Sequence, residues 1–423
     1  MKKVVVAGGM RIPFCRAGSN YSDQSNQEMM TAAVKAVVDK FGLAGKILGD
    51  MAMGGVMNHS SDWNLAREVA LGCGVGTETP AYGIQRACGT SLEAAIGIAN
   101  KIKLGQIDSG IAGGFDSMSD VPIAFSKEFS KIIVAFGRAK TLPERLKILT
   151  QLKPADFKPK LPAVVEPRNG KSMGEHCELM AQEWKLTQAE QDELALASHK
   201  NAAKAWSDGF YNDLVVPFAG AKADNNVRGD TSIEKLAKLK PVFDRSGKGT
   251  LTAGNSSPLT DGASAAFLCS EEYARANNIP IQAYFVDSEV AGVDFLVKKE
   301  GLLMAPAYAV PRMLARQGLT LQDFDYYEIH EAFAAQVLCT LKAWDSDEFC
   351  RTRLGLPGKL GAIDRSKLNV VGGSVALGHP FGATGTRLVG TLAKLLEKKG
   401  KGRGLISVCT GGGMGVVAIL ERP

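Results

Sequence analysis

The sequence predicts a layered α/β protein built from two copies of one unit, and three observations carry that reading. Strand-like and helix-like segments alternate over residues 4–114 and again in the last third of the chain, the pattern of a mostly parallel sheet with helices on its faces. Many of the 47 glycines stand as pairs at the ends of apolar runs, where backbone or ligand comes close. Tyr82, Gly89, Lys103 and Ile111 match Val371, Gly382, Lys398 and Ile406 element for element, so strand, glycine-rich turn, helix and strand recur in order. Two such units packed with helices inward give an α/β/α/β/α body. The turns at Cys88 and His379 then face one cleft at the carboxyl ends of strands.

The elements read as follows. Residues 4–9 form a buried strand and 27–41 an amphipathic helix; 50–56 is a strand and 64–71 a helix. Residues 80–84 form a third strand, which enters Gln85-Arg86-Ala87-Cys88-Gly89-Thr90-Ser91 and then a helix over 92–102; 109–114 is a fourth strand. From about 117 to 249 the alternation stops, and a charged, proline-dotted stretch with helices at 177–184 and 188–208 reads as an insertion. Strands return at 264–270, 326–328, 369–373, 404–408 and 416–420, with a helix over 386–398. The division is therefore 1–117 with 251–290 as the first half, 118–250 as the inserted loop domain, and 291–423 as the second half.

Composition narrows the function classes. A 423-residue chain with 45% hydrophobic and 22% charged residues is globular and long enough for two or three domains. Its eight cysteines include no C-x-x-C pair, which argues against a zinc site or a disulfide framework and for a reducing compartment. No run of about 18 apolar residues is present. Met1-Lys2-Lys3 leads straight into a strand and the chain closes on Glu-Arg-Pro, so the expectation is a cytoplasmic protein without signal peptide or peroxisomal tag. The net charge of +6 is local: residues 127–171 hold eleven Lys/Arg against four Asp/Glu. Leu142, Leu146, Leu149 and Leu152 fall there at helical spacing beside Arg145, Lys147 and Lys153. That hairpin is either a solvated face or a surface for anionic phosphates, a membrane or a partner subunit. No aromatics interleave with its basic residues, which speaks against nucleic acid.

Four stretches carry chemistry. Cys88 stands at a strand-to-helix junction, where free N–H groups and the helix dipole favour a thiolate. His330 precedes Glu331-Ala332-Phe333-Ala334, His379 sits in Gly378-His379-Pro380, and Cys409 opens Cys409-Thr410-Gly411-Gly412-Gly413. A nucleophilic cysteine needs a nearby base, and two of the five histidines lie in these turns. With Thr252-Ala253-Gly254-Asn255 and Asp261-Gly262-Ala263 between them, these motifs resemble the thiolase family, in the family's order and over nearly the whole chain.

The resemblance implies a duplicated βαβαβαββ fold assembled as a dimer or tetramer. It implies 3-ketoacyl-CoA and CoA as substrates, with no further cofactor and no metal. Cys88 is then the acyl-accepting nucleophile, His379 its base, and Cys409 the acid/base for the acetyl-CoA Cα proton. One oxyanion site combines His379 with His330, and the other uses the backbone N–H groups of Cys88 and Gly411. CoA is expected against Ser257 and Met173. Many members carry Asn where this chain has His330. The branch with His resembles the β subunit of the fatty-acid-oxidation trifunctional complex, which implies β-oxidation of longer chains and a hydratase/dehydrogenase α subunit as partner. Ser172-Met173-Gly174-Glu175-His176 departs from the family pattern, so no role is carried over to Glu175 or His176, and His59 and His199 read as structural. The competing readings are an acetoacetyl-CoA thiolase working toward condensation, a ketoacyl-synthase-like condensing enzyme, which lacks the Cys409 motif, and a thiolase-like lipid-binding subunit without turnover.

Overall fold

The computed structural model describes residues 1–162 and 164–423. Its strands are β1 (Val4–Arg11), β2 (Cys15–Arg16), β3 (Asp50–Gly54), β4 (Ala81–Gly83), β5 (Ser109–Asp116), β6 (Thr260–Ser270), β7 (Ala283–Gly292), β8 (Tyr326–Ile329), β9 (Gly402–Thr410) and β10 (Met414–Arg422). They run in the order β4-β3-β5-β6-β1-β7-β10-β9-β8, with β2 added beside β6. Only two residue pairs, Val5–Tyr284 and Val6–Ala283, join β1 to β7. The sheet is therefore two halves meeting at a narrow seam.

Between the halves lie the helices Thr90–Lys103 and Thr384–Lys399. Leu92, Ile98, Leu388, Leu392 and Leu396 form one buried core with Val6 and Leu268 of the first half and Ile406, Val408 and Val416 of the second. Neither helix has a side-chain N-cap. Packing holds them instead, at about 1.5–3 kcal/mol for each fully buried leucine. Their crossing is so close that a Cβ on Gly385 would lie 2.2 Å from the Leu92 nitrogen. Outside, the helix Asn26–Phe41 covers the first half through Met30, Val34 and Val37. The helices Ala305–Gln317 and Ala334–Trp344 cover the second through Met313, Val337 and Trp344. Helix, sheet, helix, sheet and helix stack in five layers, as the duplication implied.

The sheet is mixed rather than mostly parallel. Only β3–β4, β3–β5 and β8–β9 are parallel, the pairs separated by crossover helices. The pairings of β6 with β1 and β5, of β7 with β1 and β10, and of β9 with β10 are antiparallel. Residue 290, where the sequence reading divided the halves, falls inside β7, which pairs along its length with β10. The expected strand at 369–373 is a turn. Leu368 makes one bridge to Tyr327, then Asn369 (φ 45°) and Gly372 (φ 91°) reverse the chain. Asn369 replaces the ladder with its side chain, accepting from the Ile329 N–H (3.0 Å) and donating to the Ile329 carbonyl (2.9 Å).

In the insertion, the helices Met173–Glu183 and Gln188–Ser207 begin at capping boxes, Ser172 with Glu175 and Thr187 with Glu190. They dock through Cys177, Met180 and Leu194 onto the core of the second half. The helices Lys127–Arg138 and Leu142–Leu149 form the expected basic hairpin, and neither has a buried residue.

Candidate active site

Cys88 lies in the turn between β4 and the helix Thr90–Lys103. Ala87 takes a left-handed φ of 44° there, a strained conformation for a side-chain-bearing residue. The Thr90 hydroxyl holds it, accepting from the Arg86 N–H (2.9 Å) and donating to the Ala87 carbonyl (2.7 Å). A Cβ on Gly89 would stand 2.7 Å from Val416 Cγ2, so glycine lets this turn press against the β9–β10 hairpin. Two further bonds tie it to the turn after His379: Ser91 N–H donates to the Gly382 carbonyl (3.2 Å), and Ser91 Oγ accepts from the Thr386 N–H (2.9 Å). Asp116, at the end of β5, accepts from the N–H groups of Val56, Met57 and Gly382 (2.6 Å for the last). The duplicated turns thus converge.

Cys409 lies one residue before the end of β9, opposite Gly415 of β10, and is fully buried. Burial, and next the Cys88 sulfur beside it, push its thiol well up. Burial also pushes Cys88 up to about 12, against the N–H groups of Gly411 and of Cys88 itself, which stabilise the thiolate. This corrects the expectation of a resting thiolate: desolvation outweighs the helix terminus and backbone donors, and Cys88 rests as a thiol.

His330 follows β8 and donates its N–H to the Ser407 carbonyl (2.8 Å). His379 follows the short helix Ser374–Leu377 and donates its N–H to Thr260 Oγ1 (2.7 Å). The two rings lie against each other, tilted by 48° with centroids 4.0 Å apart. Cys88 Sγ and one ring nitrogen from each histidine all lie within 4.8 Å of one another. Nδ1 of His379 meets Thr384 Oγ1 (2.6 Å), Nδ1 of His330 meets Ser374 Oγ (2.8 Å), and both Nε2 atoms are buried without a partner. Burial, and then the Arg387 charge, bring His379 down to about 3. Burial, then His379 and Arg387, hold His330 well below the usual histidine value. The arrangement is therefore a half-buried Cys88 thiol beside two neutral imidazoles, with the buried Cys409 thiol near enough to feel the Cys88 charge. It suits proton transfer to and from sulfur and carbon.

Sequence reasoning missed the groups that hold this pocket. Glu331 is buried and accepts from Asn369 Nδ2 (2.6 Å), Ser198 Oγ (2.7 Å) and the Val375 N–H (3.1 Å). Glu166 reaches from the insertion to accept the Gly412 N–H (2.6 Å). Of the expected CoA residues, Ser257 lines a cleft of about 760 Å³ together with Arg16, Arg228, Lys235, Leu236 and Phe243. The inner wall includes Ser256 and Val375, the latter next to Ser374. Ser257 Oγ already donates to the Ala332 carbonyl (2.8 Å), so it faces a ligand as an acceptor. Met173 does not line this cleft; its sulfur would lie 3.5 Å from a Cβ on Gly411, above the catalytic turn. Glu175 is spent on its capping box, and His176 pairs with Asn169 and stands edge-on to Phe295. His59 meets Asp120, and His199 accepts the Arg228 N–H in the cleft wall.

The family profiles described as Thiolase, N-terminal domain and Thiolase, C-terminal domain match residues 4–272 and 279–422. The chain belongs to the thiolase family. This thiolase is 40% identical over 425 residues to a 3-ketoacyl-CoA thiolase of Pectobacterium atrosepticum, spanning 99% of this chain and 96% of the relative. It is 38% identical to the protein of that name in Yersinia pestis, over 99% and 97% of the two chains. Among solved structures, human mitochondrial 3-ketoacyl-CoA thiolase superposes with a TM-score of 0.82 at 29% identity, covering 100% of this chain and 99% of that one. The acetyl-CoA acetyltransferase of Bacillus anthracis superposes equally well, TM-score 0.82 at 31% identity over 100% and 99%.

Proposed function

We propose that this thiolase is an acyltransferase that cleaves 3-ketoacyl-CoA with CoA to acetyl-CoA and a shortened acyl-CoA, in fatty acid β-oxidation. The observation that carries the reading is Cys88 Sγ within 4.8 Å of ring nitrogens of His330 and His379, with the buried Cys409 thiol near enough to be raised by the Cys88 charge. Cys88 gives its proton to His379 and attacks the 3-keto carbon. The Cα–Cβ bond breaks, its electron pair leaves as the acetyl-CoA enolate, and Cys409 protonates Cα. Free CoA gives its thiol proton to the Cys409 thiolate and attacks acyl-Cys88; the Cys88 thiolate leaves, recovers its proton from His379, and the shortened thioester is released. His330 with the protonated His379 faces one oxyanion, and the N–H groups of Cys88 and Gly411 face the other. CoA lies in the cleft of Ser257, with Arg16, Arg228 and Lys235 as cations for its phosphates. CoA is substrate here, and the reaction draws on no other cofactor.

Mass spectrometry after brief exposure to 3-ketoacyl-CoAs from C4 to C16 tests this. An acyl adduct on Cys88 from the longer chains is the expected result. Turnover of C4 alone would favour the acetoacetyl-CoA reading, and no adduct from any chain would favour a lipid-binding subunit.

The eight unpaired cysteines support a cytoplasmic setting, and among the described residues no helix is long and apolar enough to cross a membrane. The hairpin supports a second, peripheral role. Ile133, Val134, Leu142 and Leu146 are each between 45% and 69% exposed, beside Lys131, Arg138, Arg145 and Lys147. An apolar stripe rimmed by cations fits an anionic lipid surface. Charge reversal at Arg145 and Lys147 should lower retention on phosphatidylserine vesicles. Retention unchanged by the reversal removes the lipid reading, and capture of a hydratase/dehydrogenase subunit instead assigns the face to that partner. Assembly as a homodimer or tetramer is part of the same proposal, and light scattering checks it.

A further inference from the structure

We infer that Ser374, oriented by Arg387, is a positioning residue that fixes His330 as the tautomer carrying its proton on Nε2. The inference rests on the acyl-transfer reading above. The argument starts from a group with no choice of role. A guanidinium only donates, and Arg387 Nη2 donates to Ser374 Oγ at 2.7 Å. That guanidinium is fully buried, with Nη1 3.7 Å from Glu328 Oε2.

Ser374 is fully buried too, and among the described residues its hydroxyl meets, besides Arg387, only His330 Nδ1, at 2.8 Å. A buried hydroxyl proton left without an acceptor is costly. It therefore goes to Nδ1, which accepts, and the ring proton sits on Nε2, the atom buried without a partner. The neighbouring ring is set the other way. Thr384 Oγ1 directs its proton to the Pro380 carbonyl (3.3 Å), so its lone pair accepts from His379 Nδ1–H at 2.6 Å. His379 is left with a free lone pair on Nε2.

Two adjacent histidines thus hold opposite tautomers at rest, one a base and one a donor. This division suits the reaction. His379 can accept the Cys88 proton only if its Nε2 is bare. His330 can meet the developing oxyanion from the first instant only if its Nε2 is already protonated. A donor set before the reaction begins costs no reorganisation during it.

Nitrogen-15 NMR of histidine-labelled protein tests the assignment directly, since protonated and bare ring nitrogens resonate far apart and only five histidines are present. Loss of signals in His330→Asn assigns the residue. In the wild type His330 should show Nε2–H and His379 Nδ1–H. Ser374→Ala should shift His330 toward Nδ1–H and lower kcat for thiolysis about 10- to 100-fold, short of the roughly 100- to 1,000-fold lost when an oxyanion donor is removed outright, with KM within about twofold. Ser374→Thr, which restores the hydroxyl, should recover most of the rate.

In the His330→Asn background the same Ser374→Ala change should alter kcat less than about twofold, because an amide donates without a tautomer to set. Nδ1–H on wild-type His330 overturns the relay. So does an equal loss from Ser374→Ala in both backgrounds, which marks a merely structural role. Failure of wild-type Cys88 to acylate is a different result: it removes the reading of the site and leaves the tautomer measurement standing.

Discussion

The catalytic floor and the hairpin Lys127–Arg138/Leu142–Leu149 are held by opposite means. The hairpin is built locally: Ser126 caps one helix, Thr141 and Glu144 form a capping box on the other, and Arg145 lies over Phe136. None of its helical residues is buried. At the floor the order is reversed. Asn369, Glu331 and Ser198 are each fixed by groups up to about 175 residues away, in chains such as Gly373 N–H to Ser198 Oγ and Ser198 Oγ to Glu331. A helix secured by its own caps can be moved or altered without cost to the body. A pocket secured from four directions loses its geometry when one partner goes.

That contrast sets the order of the expected effects. Cys88→Ala should lower thiolysis by about 10⁴-fold or more, as removal of a nucleophile does, and abolish the acyl mass shift while thermal stability stays unchanged. Glu331→Gln sets an amide NH2 against one or two of the three donors that Glu331 now accepts from and should cost about 2–4 kcal/mol, read as a lower urea midpoint together with lost activity. Stability retained in that variant would show that the floor is not held through Glu331.

The protonation states give the third test. Burial keeps His379 near 3 and Cys88 near 12, so neither group of the free enzyme changes its majority form between pH 5 and 9. The thiolate fraction then grows about tenfold per pH unit. Alkylation of Cys88 by iodoacetamide should climb steadily across that range without an inflection near 6.5. A plateau by pH 8 would instead reveal a thiolate–imidazolium pair. At the small end, Ile133→Ser in the hairpin should change global stability by less than about 0.5 kcal/mol and leave thiolysis of soluble substrate untouched. A larger loss would mean that the hairpin packs on the body.

The same contrast explains how much was legible in the sequence. Cys88, His379 and Cys409 were readable because each sits in a short glycine-marked turn whose neighbours in sequence are its neighbours in space. The helices at 26–41, 90–103, 188–207 and 384–399 announced themselves by periodicity. The helix Ala334–Trp344 did not, because its residues are apolar nearly all round and leave no polar face to give a period. Asn369 hid in an apolar run that reads as a strand. Its side chain does the work of a ladder, and nothing local signals that. Ser374, Arg387, Glu331 and Glu166 were missed because their partners lie far along the chain. The mixed sheet was missed for a related reason: β6 and β7 return antiparallel after the insertion, and strand direction leaves no mark on composition.

The two-pair seam between β1 and β7 has a consequence for how this molecule could be divided. Its first half carries a nucleophile with no base, and its second carries a base and an acid with nothing to attack. A chain severed in the connection near Asn277 would yield fragments that are each inert, with turnover returning only when the two are mixed and their central helices meet again.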